Sequence, residues 1–161
     1  MNLDPVDQRH LSIHEAGHAV VGRALGMACG HVTIVKDDDS AGHSITDDPY
    51  FILQAWEDAG RYRDFSSVMT GRIMAYMAGA EAETVILGFS RGGDGDDREQ
   101  AMLMAEDMGK DETFLSRARR QTRRVVRRHR AAIEAVAAEL LASGTLQALE
   151  VDRLFEQHCD R

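Results

Sequence analysis

Cysteine, proline and lysine each occur only twice in the 161 residues, and each scarcity closes something off. Cys29 and Cys159 lie far apart without C-x-x-C spacing. That excludes a disulfide framework and a cysteine-type zinc site, and a reducing cytoplasm is the expected setting. Pro5 and Pro49 leave long helices permitted almost throughout. Lys36 and Lys110 are the only lysines, so positive charge is nearly all arginine. No apolar run reaches the roughly 20 residues that a membrane span needs. The opening MNLDPVDQRH has neither the basic start nor the apolar core of an export signal. A formal net charge of -8 argues against nucleic acid as a general partner.

What is present is the composition of a folded soluble protein, 43% hydrophobic and 29% charged. The length suits one domain over 1–161 that buries a real core without staples. There is no linker, internal repeat or low-complexity tract. Charge is uneven. Residues 37–39 read DDD, 94–97 read DGDD, and Arg117 to Arg130 hold eight arginines and no acid. The arginine run reads as a solvated surface helix pairing with the abundant acids, or as a docking surface for an acidic partner or nucleic acid.

Periodicity predicts a helix from about Pro5 to Gly26, with Leu11, Ala16, Val20 and Ala24 near 3.6-residue spacing and Asp4–Pro5 as cap and first residue. His31 to Lys36 alternates and is β-branched, so it reads as a strand. Ala41 to Asp47 could pair with it across the turn at Asp37–Ser40. Tyr50 to Asp58 is a weak helix or loop. Asp64 to Leu87 is a long helix ending at Gly88. Ser90 to Gly95 is a flexible loop with three glycines, and a helix follows from Asp96 to Met108. Asp111 to Ala142 carries one long helical pattern, broken by Gly144–Leu146, before a short helix over Val151 to His158. Most of the eight methionines sit at helical spacing and read as core filler.

The stretch SIHEAGHAVVG, Ser12 to Gly22, carries the chemistry. Residues i and i+4 share a helix face, so His14 and His18 can direct both imidazoles at one metal ion. Glu15, one residue round, can take a proton from the attacking water and deliver it to a leaving amine. Zinc lowers the pKa of water towards about 7, the mechanism attached to H-E-x-x-H on a helix. Two histidines on a half-buried helix face with a solvated glutamate would look the same. A chance match in a chain this long is roughly a one-in-a-few-hundred event. The AVVG that follows continues an apolar helix, and Ala16 and Gly17 are small enough to leave room for metal and substrate. A third ligand must come from elsewhere. No third histidine follows closely, the next being His31. Asp94, Asp96 and Asp97 compete for the role, and all three also suit a helix start. His10, His31, His43, His129 and His158 lack ligand spacing, with His43 the one to place near the cleft.

In order, HEAGHAVVG, VTIV, MAGAEAETVILG, GGDGDDREQAMLMAEDM and GTL resemble the peptidase domain of FtsH-type proteases, the M41 family, over residues 8 to 155. The resemblance implies zinc as cofactor, His14 and His18 as ligands, and Glu15 as general base and acid. It implies Asp97 as third ligand, four residues before Ala101 with Ala105 beyond. It implies Glu83 as a carboxylate that orients a ligand histidine; an ordinary helix-surface acid is the other reading. Two departures stand out. The chain starts almost at the H-E-x-x-H helix and has no G-x-x-x-x-G-K-[ST] phosphate loop, so it resembles a free-standing peptidase domain. Residues 36–51 match the family poorly, which leaves substrate choice open.

The expectation is a mostly helical α+β domain. A zincin-like H-E-x-x-H helix lies beside a two- or three-stranded sheet, with a C-terminal helical bundle. The expected activity is a zinc-dependent endopeptidase acting on unfolded or flexible polypeptides, ATP-independent on its own. The other reading is a zinc-containing interaction domain that binds unfolded segments or an FtsH-like partner. A homo-oligomer and a separate ATPase are further partners that the resemblance admits.

Overall fold

The computed structural model describes residues 4–27, 29–35, 42–46, 54, 57–61 and 64–159. The first helix, α1, spans Pro5–Ala24. Asp4 starts it, its carboxylate accepting from the Val6 N–H at 2.9 Å, with Pro5 in the first turn where no N–H is needed. Gly26, at φ 76°, carries the chain out. Helix α2, Phe65–Leu87, begins the same way, with the Asp64 carboxylate on the Ser67 N–H at 2.7 Å. It ends at left-handed Gly88.

These two helices form the heart of the molecule. Gly17 makes their contact close. A Cβ placed on it would lie 2.7 Å from the Ala82 Cβ and 2.8 Å from the Ala78 carbonyl oxygen. The expectation that Gly17 leaves room for a metal is therefore corrected: that room is filled by the neighbouring helix.

Strand β1, Cys29–Thr33, pairs antiparallel with β2, His43–Thr46, and with β3, Thr145–Leu146, in the order β2-β1-β3. The strand expected over His31 to Lys36 thus sits earlier and stops at Thr33. The Val35 N–H donates to the Thr33 side-chain oxygen at 3.1 Å instead of to a neighbouring strand. Gly144–Leu146 was expected only to break a helix. It does so, and its last two residues then supply the third strand. Of the weak segment Tyr50 to Asp58, Gln54, Glu57 and Asp58 are helical, and the others lie outside the described residues.

Helix α3, Gly95–Asp107, precedes α4, Glu112–Arg128, and α5, Arg130–Ser143. The last helix, α6, is Ala148–His158. One continuous helix was expected over Asp111 to Ala142, and the chain instead bends at His129, φ -103° and ψ 20°. The apolar stripe keeps its phase across the bend, since Val126 and Ile133, both fully buried, lie two turns apart. Periodicity is blind to such a kink. Among the described residues, α1, β1, β3, α5 and α6 share one apolar core with Ala78 and Ala82 of α2 and Val126 of α4, and other residues of α2 and α4 share a second with α3. Met69, Met74 and Met77 are buried as expected, whereas Met102 is 48% exposed.

Candidate metal centre

Helix α1 carries His10, His14 and His18 at four-residue steps on one face, and α2 lies under that face. The His18 Nδ1 lies 2.7 Å from the Ala75 carbonyl oxygen of α2. A carbonyl can only accept, so Nδ1 carries the hydrogen and Nε2 turns outward with its lone pair when the ring is neutral. The His14 Nδ1 makes the equivalent bond to the Glu83 carboxylate, 2.7 Å to Oε1. Both outward Nε2 atoms face Asp97 on the first turn of α3, at 3.4 Å (His14) and 3.2 Å (His18) from its Oδ2.

The three ligand-type atoms lie within 4.8 Å of one another, so His14, His18 and Asp97 form a group that could hold a metal ion. Two imidazoles and a carboxylate with further positions open make the donor set of a catalytic zinc site. The three competing aspartates separate in space. Asp96 is exposed, and Asp94, at the cap position, makes no capping bond through its side chain.

Close approach to α2 depends on Gly79. A Cβ there would stand 2.5 Å from the His14 Nε2 and 2.6 Å from the His18 Nε2. Sequence reasoning missed Gly79, and nothing in its local pattern marks it.

Glu83 is buried at 4% exposure, so the surface-acid reading is set aside. Its Oε1 receives His14. Its Oε2 receives the His10 Nδ1 at 2.9 Å and the Arg91 backbone N–H at 3.0 Å. His10 is the second residue that sequence reasoning passed over. It lacks any role as a ligand in this geometry but continues the histidine stripe one turn upstream, which was the available signal. Its ring lies against Phe89, centroids 5.0 Å apart. The Arg91 guanidinium pairs with Asp7. The loop from α2 to α3 is thus fastened to the start of α1. The neighbouring Glu81 faces the other way and pairs with Arg123 at 2.7 Å and Arg119 at 3.6 Å. Two arginines of the Arg117 to Arg130 run thus pair with one acid, and it is a buried one.

Electrostatics fit a cation at this point. Burial pulls the His14 pKa down, but hydrogen bonds to Asp97 and Glu83, with the charges of Glu15 and Glu83, outweigh it and raise it to about 10. Burial pushes Asp97 up, yet hydrogen bonds from His14 and His18 hold its carboxyl far below the usual range. Glu83 is likewise lowered against its burial by His14, the Arg91 N–H and His10. A proton on His14 here stands where a metal ion would compensate the same carboxylates.

Glu15 is 5% exposed and lies on the sheet side of α1. Its Cγ is 3.3 Å from where a Cβ on Gly42, the residue before β2, would sit. His43 is the first residue of β2, and its side chain lies outside the described residues.

No family model matches the chain. The chain is 26% identical to the ATP-dependent zinc metalloprotease FtsH 1 of Symbiobacterium thermophilum over 181 aligned residues, covering 93% of this chain and 29% of that protein. The similarity is to a part of that protein. The chain spans less than a third of the relative's length. Among the described residues, no helix is long and apolar enough to cross a membrane.

Proposed function

We propose that residues 1–161 form one M41-like peptidase domain, a zinc-dependent endopeptidase that cuts unfolded or flexible polypeptides. The observation that carries the reading is the convergence of the His14 Nε2, His18 Nε2 and Asp97 Oδ2 atoms, with both Nδ1 atoms already engaged. The relative's printed function, an ATP-dependent zinc metalloprotease, points the same way. Zinc, when bound, supplies a Lewis acid that polarises the scissile carbonyl and acidifies water.

The chain's own residues do the rest. Glu83 and the Ala75 carbonyl hold the two imidazoles in register. Glu15 takes the proton of the attacking water and returns it to the leaving amine. Strand β2 stands at one end of the sheet order, where an extended substrate could add as a further strand and be read mainly through its backbone. That mode is tolerant of sequence. It suits unfolded chains, and a separate ATPase or assembly with like copies would extend it to folded ones. The expected setting is the cytoplasm.

The test is digestion of casein by the zinc-loaded protein without ATP, beside Glu15→Gln. The expected result is cutting by wild type and a loss of about 100-fold or more in the variant, with zinc retained. If both hold zinc and neither cuts, a zinc-containing interaction domain takes the proposal's place.

A further inference from the structure

Helix α4 turns a face of arginine to solvent. Arg117, Arg120, Arg124, Arg127 and Arg128 are all exposed. By helix geometry they fall within roughly 100° of the circumference and along about 16 Å of the axis. Ala118, Thr122 and Val126 bury the opposite side, so the fold does not rest on these arginines. Among the described residues none of the five is in an ion pair, whereas Arg119 and Arg123 are engaged by Glu81 and Arg130 by Glu134. No acid stands between Glu112 and Glu134 in the sequence. Like charges three or four residues apart repel and weaken the helix that carries them, as Arg120 and Arg124 do here. An anion lying on the face would relieve that repulsion.

The surroundings narrow the kind of anion. The chain carries -8 in all and the Arg117 to Arg130 run +8, so the other residues together carry -16. A nucleic acid, with a charge about every 1.7 Å of duplex, would run past the face and meet that repulsion at both ends. The face has no aromatic ring on which a base could stack. None of the exposed large apolar residues lies on α4, so nothing there would seat in a lipid surface. A short acidic stretch of polypeptide matches the face in length, and the forked guanidinium suits its carboxylates. Position points to the chain that is cut. Arg119, next to Arg120, lines a cavity of about 340 Å³ between α2, α3 and α4, and Asp97 of the candidate centre lines it too. A few extended residues, at about 3.3 Å each, would span from one to the other.

We propose that the arginine face of α4 is a docking surface for an acid-rich stretch of the polypeptide to be cut. The inference rests on the endopeptidase reading and adds a choice of substrate to it. Strand addition along β2 is indifferent to sequence, and the arginine face favours chains that carry a run of Asp or Glu near the cut.

The experiment uses zinc-loaded Glu15→Gln protein and two labelled Gly/Ser peptides that carry six Asp or, at the same places, six Asn. The Asp peptide is expected to bind about 10- to 100-fold tighter at about 50 mM salt, an advantage lost at about 500 mM, where exposed pairs are screened. Arg120→Gln/Arg124→Gln should cut the advantage about fivefold or more with zinc affinity unchanged. Arg9→Gln/Arg153→Gln removes the same charge from exposed positions outside α4 and should leave most of the advantage. No Asp preference in the parent, or an equal loss in both double variants, overturns the proposal. Tighter binding of single-stranded DNA or of phosphatidylserine vesicles through Arg120 and Arg124 overturns it as well. In wild type, a casein-derived peptide extended by the Asp run should show a KM about tenfold below that of the Asn version, with kcat unchanged. Wild type that cuts both alike leaves the peptidase without this surface. An Asp preference in a protein that never cuts removes the peptidase, and substrate as the occupant with it.

Discussion

Gly79→Ala asks whether the imidazoles truly depend on a bare backbone. The added Cβ would lie 2.5 Å from the His14 Nε2, 2.6 Å from its Cε1 and 2.6 Å from the His18 Nε2. Those distances are about 1 Å inside the separation at which such atoms attract. Helix α2 cannot draw back, because Ala78 and Ala82 are already seated on Gly17 and retreat would open voids along that contact. The rings must swing instead, giving up the bonds to Glu83 and to the Ala75 carbonyl. The first bond, to a charged acceptor, is worth about 1.5–3 kcal/mol and the second about 0.5–1.5 kcal/mol. Replacing glycine in a helix returns only about 0.5–1 kcal/mol. The metal-free protein should thus lose about 1–4 kcal/mol, read by denaturant unfolding. Zinc affinity should fall by about 10²–10⁴, since each imidazole that loses its orienting partner typically costs about 10- to 100-fold. Competition with a chromophoric chelator measures it. Gly71→Ala is the control on the same helix. Its Cβ would meet only the flexible end of Met27, at 3.3 Å, so it should be neutral or slightly stabilising. Unchanged zinc affinity in Gly79→Ala would refute the account of how α2 sets the site.

Three other outcomes follow from the same geometry. His10→Ala should weaken zinc about tenfold, the low end for a lost orienting partner, because the Arg91 N–H still holds the Glu83 Oε2; a loss as deep as that of Glu83→Ala would sink this ranking. Asp97→Asn should lower zinc affinity steeply while Asp96→Asn, at an exposed position, leaves it unchanged, as chelator competition would show. In the metal-free protein, the His14 pKa is raised from 6.5 to about 10, so its contribution is full below pH 6.5 and lost as pH climbs through about 10. Asp97 and Glu83 are lowered from 3.8 and 4.5, and their contribution is lost on the acid side. Calorimetry in chelator should then show a stability maximum between these limits and a decline towards pH 10 that zinc abolishes. A flat basic limb without metal would contradict the placement of that proton.

The helices were legible where the chain carries its own punctuation. Asp4–Pro5, Asp64 and Gly88 mark ends that the structure keeps. The histidine pair was legible because four residues make one turn. Less visible was whatever depends on a neighbour. Gly79 has meaning only once two rings from α1 arrive over it, and Gly17 turned out to serve helix contact instead of metal access. The bend at His129 leaves the apolar stripe in phase, so spacing could not reveal it. The choice among Asp94, Asp96 and Asp97 needed either a family pattern or the turn of α3 that directs one carboxylate inward. His10 was readable by the same four-residue rule that found His14 and His18, since it stands one turn before His14, and that spacing was overlooked.

Helix α3 buries only Ala101 and Ala105, and three glycines stand in or just before its first turn. Few apolar contacts keep it in place, so its anchorage falls to Asp97 and to the fastened loop before it. A cation shared by α1 and α3 would tie together points about 80 residues apart, a cross-link whose effect on the unfolded chain is about 4–5 kcal/mol if it acts like a disulfide. The same ion would then set the protein's lifetime as well as its chemistry. A copy that loses its metal would let α3 go first, and on the proposed peptidase reading the loosened segment would itself become substrate for its metal-loaded siblings.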